Sequence, residues 1–263
     1  MKIKDFEVYI NKIAPTYLKE DFDNVGLMVG DSEDEISKIL VALDGTIEVI
    51  EEAVEKKCDL IFTHHPLIFS KPSAITNKTI QGIKIRNLIK NNIALYSAHT
   101  NLDSVNGGIT DTLGRMLELE NLTVLSNNPH SCDAGIGRIG VTSGDITLKD
   151  ILDRIKEKFG IENIRYCGEL TNKIKRVALL NGSGQDFFKY AKEQSCDLII
   201  TGDTTYHYIS DYNEEKINII DMEHFYSEWI PLTEIAKNIK KDLEKYGVNV
   251  LLSEKSKSPY KNY

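Results

Sequence analysis

Residues 58–66 read CDLIFTHHP, a short apolar run that ends on two adjacent histidines and a proline. Leu60, Ile61 and Phe62 make an unbroken apolar segment, the pattern of a strand buried on both faces of a parallel sheet. Thr63, His64 and His65 then fall at its C-terminal edge, the place where open α/β sheets bind their ligands. Pro66 has no amide proton for a ladder and biases His65 towards extended geometry, so the strand stops there. Consecutive residues of an extended chain point to opposite sides, so the two imidazoles suit two ions, one each, better than one. Taken alone, the pair also fits one core histidine beside one surface histidine.

The surrounding sequence alternates strand and helix. Residues 38–44 predict a strand and 45–57 an amphipathic helix, which with the THHP strand make a βαβ unit. Ahead of it, Ile3, Phe6, Ile10 and Ile13 space a helix over 3–13 that Pro15 ends, and DFDNVGLMVGD over 21–31 predicts an irregular turn into a short strand. A loop over 66–76 leads to a helix over 79–90, a buried strand over 93–98 that ends at His99, and a helix from Asp103 to about Leu117. A strand is expected at 122–125 and a loop over 127–137, which is rich in Asn, Pro, Ser and Gly. A strand at 139–142, a helix at 148–159 and a strand at 164–167 form a connecting portion. The second half offers strands at 176–180, 197–201, 217–220 and 248–252 and helices at 186–194, 205–214 and 227–246, then a mobile Lys- and Ser-rich tail. The fold expected is α/β, with mixed sheets flanked by helices and two similar domains, residues 1–125 and 126–263.

The two halves of the chain repeat each other. VALDG at 41–45 matches VALLNG at 177–182, and CDLIFT at 58–63 matches CDLIIT at 196–201. Each half then runs helix, strand, histidine, with a carboxylate four residues on: His99 with Asp103, and His224 with Glu228. If the chain turns helical at the strand end, residues i and i+4 share a face, so each half presents an imidazole and a carboxylate together. That donor set suits borderline divalent ions such as zinc, iron, manganese or nickel. Four of the chain's six histidines thus gather at one predicted sheet edge.

Taken in order, DNVGLMVGD, THHP, SAHTNLDSVNGG, the NGSG turn, TGD and EHFYSE resemble the successive motifs of the Nif-three-like family, also called GTP cyclohydrolase type 2 homologs. The resemblance spans nearly the whole chain. It implies a duplicated α/β fold, a dinuclear metal site in the interdomain cleft and a ring-shaped homohexamer. It carries the metal ligands onto His64, His65, Asp103, His224 and Glu228, with His99 close by as a further candidate ligand; if not a ligand, His99 is the best candidate for a catalytic general acid or base, because an imidazole titrates near neutrality. Longer relatives carry an inserted domain for which the 121–175 segment leaves no room. Three positions depart from the family pattern: Phe22 replaces a Trp, Glu223 a Gly, and Tyr206 the first of two histidines.

Two divalent ions with these ligands lower the pKa of bound water, the chemistry of hydrolytic bimetal enzymes. The expected function is therefore a metal-dependent hydrolase acting on a nucleotide or phosphorylated small molecule, with GTP cyclohydrolase-like chemistry carried from the family name. The rival is a non-catalytic ring that stores or delivers metal or binds a protein partner such as a transcription regulator. A net charge of −8 argues against general nucleic-acid binding. The four cysteines, Cys58, Cys132, Cys167 and Cys196, form no CxxC pair and fit a reducing cytoplasm. No apolar run is long enough to span a membrane. NGSG at 181–184 reads as a phosphate cradle or a plain turn, and Asp23 and Asn24 as site residues or turn caps.

Overall fold

Short runs of Ile, Leu, Val and Phe build the centre of each sheet, and the helices between them carry the strands back to the same edge. In the computed structural model, which describes residues 1–261, the chain runs α1 (Ile3–Ile13), β1 (Gly26–Val29), β2 (Lys38–Ala42), α2 (Ile47–Glu55), β3 (Leu60–Thr63), α3 (Ile80–Lys90), β4 (Ala94–Ser97) and α4 (Thr100–Ser104). It continues through α5 (Ile109–Met116), β5 (Glu120–Asn128), β6 (Ser131–Val141), α6 (Leu148–Phe159), β7 (Arg165–Cys167), β8 (Arg176–Leu180), α7 (Phe188–Glu193), β9 (Leu198–Thr201), α8 (Tyr206–Glu214) and β10 (Asn218–Asp221). A long helix, α9 (His224–Glu244), and β11 (Asn249–Leu252) complete it.

Two compact units result: Met1–Val105 with Leu232–Lys257, and Asn106–Pro231 with the chain from Ser258. The first holds a five-stranded sheet in the order β1-β4-β3-β2-β11, the second a six-stranded sheet in the order β5-β6-β8-β9-β10-β7. The duplication is visible in these orders. In each, three parallel strands, β2, β3 and β4 or β8, β9 and β10, are flanked on one side by an antiparallel strand, β1 or β7. The other flank differs, being parallel β11 in the first sheet and antiparallel β6 in the second.

Alternate residues of each strand face opposite layers. In the first unit Leu40, Ile61 and Leu95 pack with Val49 and Ile50 of α2 and Leu88 of α3. Phe62 and Tyr96 meet Phe6 of α1 edge-on at centroid distances of 5.8 and 5.7 Å. In the second, Val177, Leu198 and Ile220 pack on α6, while Ala178, Ile199 and Ile219 pack on Phe188 and Ala191 of α7. Thr147 caps α6 reciprocally with Asp150, and Gly160 ends it in the left-handed conformation at φ +67°.

Six expectations need correction. The 125/126 boundary is not where the units divide, and β11 joins the first sheet beside β2 instead of closing the second half. Residues 127–137 are not a loop: β5 and β6 form an antiparallel hairpin turning at Pro129 and His130. Its glycines serve close pairing, since a Cβ on Gly135 would lie 2.0 Å from the Ser126 carbonyl oxygen. The single helix from Asp103 is two, because Val105 is extended and Gly107 has φ +78°. Finally, α9 starts at His224, not at 227, and the tail is pinned through residue 256: Ser253 donates to Glu52, and Ser256 accepts from the Leu43 amide.

Arg138 is 1% exposed, paired with Asp111 at 3.0 Å and bonded to the carbonyls of Gly135 and Gly137. Removing one partner of a buried pair leaves an uncompensated charge, so Asp111→Ala should cost about 3–5 kcal/mol in urea unfolding, more than the isosteric apolar change Arg138→Met.

Candidate metal centre

β2, β3 and β4 end flush, with Ala42 opposite Thr63 and Thr63 opposite Ser97. The second residue beyond each end is Asp44, His65 and His99. In the second unit Leu180, Thr201 and Asp221 end in the same register. The second residues beyond are Gly182, Asp203 and Glu223, and His224 comes one later.

In the first unit His64, His65 and His99 each offer a ring nitrogen within 4.8 Å of the others. Their rings lie 5.1 to 5.6 Å apart, centroid to centroid. The expectation that adjacent histidines diverge fails because β3 ends at Thr63 and the next two residues bend. Thr63 donates to the His65 carbonyl at 2.9 Å and shares a 2.7 Å hydroxyl bond with Ser97, which holds that bend. Asp103, one turn beyond His99, brings Oδ1 to 3.6 Å from His64 Nε2.

In the second unit His224 opens α9 and its Nε2 lies 2.9 Å from Glu228 Oε2, one turn on. Two turns press against this first turn. A Cβ on Gly182, at φ +57°, would meet Glu228 Oε1 at 2.1 Å, and one on Gly202 would lie 2.8 Å from the His224 Cα. Gly182 also donates to Ser227 Oγ at 2.9 Å, and Asn181 to Glu228 at 3.2 Å. The NGSG turn therefore positions the His224 and Glu228 pair through close backbone approach, and the same need explains the glycine of TGD.

All four histidines have Nδ1 on an oxygen that accepts. His64 meets the Ala98 carbonyl at 2.9 Å, His65 meets Asp44 at 2.8 Å, His99 meets Asp23 at 2.9 Å and His224 meets Asp203 at 2.7 Å. A proton fixed on Nδ1 leaves Nε2 as the lone-pair donor, the orientation found in metal-binding imidazoles. Asp23 is itself held by Thr100. Burial pushes its carboxyl up, but His99 and Thr100 outweigh that and bring it down to about 2. Burial pushes the His224 imidazole down, and the bonds to Asp203 and Glu228 overcome this and raise it to about 11. Without metal, His224 is an imidazolium between two carboxylates.

The residues singled out in the sequence thus form two sets: His64, His65, His99 and Asp103 in the first unit, His224 and Glu228 in the second. Sequence reasoning missed Asp44 and Asp203 and left Asp23 open. The available signal was position, since Asp44 and Asp203 each stand two residues beyond a buried strand. Tyr226 packs against the core of the second unit, and Trp229, a buried ring, lies against Phe225.

Fold and site define a duplicated α/β protein with imidazole and carboxylate donors at its strand ends. The chain belongs to the Duf34/NIF3 (NGG1p interacting factor 3) family, whose model matches residues 1–259. It is 50% identical over 264 residues to a Clostridium acetobutylicum protein called GTP cyclohydrolase 1 type 2 homolog, covering 99% of this chain and 98% of the relative. A Clostridium perfringens protein of the same name is 51% identical over 260 residues, covering 99% of each. Among solved structures, a Staphylococcus aureus hypothetical protein superposes with TM-score 0.92 at 28% identity, covering 100% of this chain and 99% of that one. Reduced HcgD from Methanocaldococcus jannaschii superposes with TM-score 0.82 at 31% identity, covering 97% and 98%.

A raised imidazole pKa contributes stability that is full below the unfolded value of 6.5 and lost as pH rises through about 11. In metal-free protein, NMR titration should find His224 charged across neutral pH, and Glu228→Gln should bring its titration down towards neutrality; an unchanged midpoint counts against the pairing.

Proposed function

We propose that the protein is a divalent-metal-dependent hydrolase acting on a nucleotide or phosphorylated small molecule. The observation that carries this is the common setting of the four histidines, each with Nδ1 tied to an oxygen acceptor. With Asp103 and Glu228 they make a nitrogen and oxygen donor set that fits zinc, iron, manganese or nickel. The proposal assigns two ions per chain, with His64, His65, His99 and Asp103 as ligands from the first unit and His224 and Glu228 from the second. Bound there, such ions supply a hydroxide nucleophile at neutral pH. The chain's own contribution is orientation: Ala98, Asp44, Asp23 and Asp203 fix the tautomer and direction of each ring. Loading the second unit requires His224 to release its proton, so Asp203 and Glu228 also set the pH dependence of loading.

His99 shares the carboxylate-anchored setting of His65 and His224, which favours a ligand's place over that of a free acid or base. The names of the relatives supply GTP as the first substrate to test. The family's ring-shaped homohexamer and a cytoplasmic setting belong to the same proposal. Among the described residues no helix is long and apolar enough to cross a membrane, and all four cysteines are free.

Metal analysis and a panel of nucleotides, phosphoesters and cyclic substrates provide the test. The expected result is two ions per chain and a product whose formation is lost on Glu228→Ala; two ions without turnover on any substrate would favour the storage or scaffold reading. His99→Ala should lower the metal content, whereas full metal with lost turnover would make His99 the acid or base. Asp44→Asn and Asp203→Asn should each weaken metal affinity by about 10- to 100-fold, read by competition with a chelator, with the fold intact.

A further inference from the structure

Beyond the C-terminal ends of β9 and β10, the second unit carries a cavity of about 220 Å³ whose lining includes Ile209, Ile219, Tyr166, Tyr206 and the Arg165–Asp221 pair. Ile219 is buried and with its register partner Cys167 gives the cavity an apolar inner wall, while Tyr206 is 79% exposed; Tyr166 pairs with Ile220, so its side chain faces the other layer. A large aromatic ring left open beside a cavity, with a few polar groups converging on it, marks a small-molecule site. The volume falls below the roughly 300 Å³ at the small end of sites for whole ligands, so one ring system fits and an entire nucleotide does not.

The polar groups specify the ring further. Asp221 has a side chain only 3% exposed and accepts from Arg165 at 2.6 Å, from the Thr204 hydroxyl and from the Glu223 amide. These bonds occupy the carboxylate and hold Arg165 at the cavity. The guanidinium carries five N–H donors in a fixed plane, and its side chain is 73% exposed, so donors remain for a ligand. The pair's charges cancel, which suits a neutral ring with acceptors on its edge better than an anion. Ring carbonyls and ring nitrogens of this kind are characteristic of nucleobases, whose faces also stack on tyrosine.

We infer that this cavity binds the base of a nucleoside or nucleotide, with Tyr206 packing against the ring and Arg165 donating to its edge. This rests on the nucleotide reading above and names the part of the substrate that the second unit holds. The location agrees with that role: Thr204 directly follows Asp203, the anchor of His224, and Asp221 lies three residues before His224. A base held here sits against the two loops that present the second-unit ligands. Tyr206, which replaces a histidine of the family pattern, becomes a residue that sets which base is preferred.

The test is saturation-transfer NMR on the metal-loaded protein with guanosine, adenosine and uridine, and with ribose 5-phosphate as the probe lacking a base. Nucleosides should bind with the strongest saturation on their base protons, and ribose 5-phosphate should not compete. Tyr206→Ala should weaken binding about 5- to 100-fold, the range of one base–aromatic stack, while Tyr206→Phe retains it and metal content stays full. Absence of nucleoside binding, equal competition by ribose 5-phosphate, or unchanged affinity in Tyr206→Ala would overturn the inference. Metal-dependent turnover that persists unaltered in Tyr206→Ala removes this pocket but leaves the hydrolase standing. Base binding without turnover on any substrate removes the hydrolase and leaves the pocket.

Discussion

The structure depends on parallel strands that stop in register. Parallel pairing of short strands buried on both faces fixes where each ends, because a slip by one residue would exchange the two packed faces and draw the polar residues beyond the strand into the core. Ala42, Thr63 and Ser97 are therefore level, and the residues next in the chain are all delivered to one edge. Those residues include Asp44, His64 with His65, and His99. Polar side chains that would be costly inside the sheet become available one or two residues past it, and the hydroxyl bonds of Thr63 and Ser97 keep them there. The same rule operates in the second unit through Leu180, Thr201 and Asp221. Duplication of a strand-end register thus duplicates a ligand-bearing edge.

That edge also dictates the electrostatics. Burying imidazoles next to one another is unfavourable if they charge, and anchoring Nδ1 on an oxygen fixes the proton on the side away from the cluster. His64 uses a backbone carbonyl, which needs no further charge, whereas His65, His99 and His224 use carboxylates. The difference tracks depth: His64 is fully buried, while the side chains of His65 and His224 are 21% and 32% exposed. A carboxylate partner at the buried position would itself have needed compensation. Asp23 shows that need met, since it is buried only with the amide and hydroxyl of Thr100 bonded to it.

Much of this was legible in the sequence because the signals were local. CDLIFTHHP announces a buried strand and what it delivers, and the spacing of His99 to Asp103 and of His224 to Glu228 needs only one helical turn. The misread parts are those whose partners lie far away in sequence. Asn127 to Gly137 looks like a loop until β6 is known to pair with β5, when the glycines become the residues that let two backbones approach. β11 comes after the second half in the chain, yet its parallel partner is β2, and nothing in Asn249–Leu252 specifies that. Asp44 and Asp203 escaped notice because an aspartate after a strand is an ordinary turn residue. Only the ring nitrogen opposite each gives it a role.

The two copies are not equivalent, and one difference is a single added residue ahead of the second histidine. His99 stands two positions past Ser97 and precedes α4 as its N-cap, whereas His224 stands three past Asp221 and is the first residue of α9. The additional residue is Glu223, whose φ of +65° is a left-handed conformation that a glycine would adopt more easily. For a glutamate it costs on the order of 1 kcal/mol. Two bonds hold it: its amide donates to Asp221 Oδ1 at 3.1 Å, and Ser258 donates to its carboxylate at 3.4 Å. With this residue in place, the helix begins at His224 itself, and the first turn carries both His224 and Glu228 over Gly182 and Gly202. The first unit, lacking it, keeps its histidine outside the short helix and gathers it with His64 and His65 instead. One inserted left-handed residue, together with Gly202 and Asp203 standing where the first unit has His64 and His65, thus separates an edge that presents three imidazoles from one that presents a histidine–carboxylate pair on a single helical face.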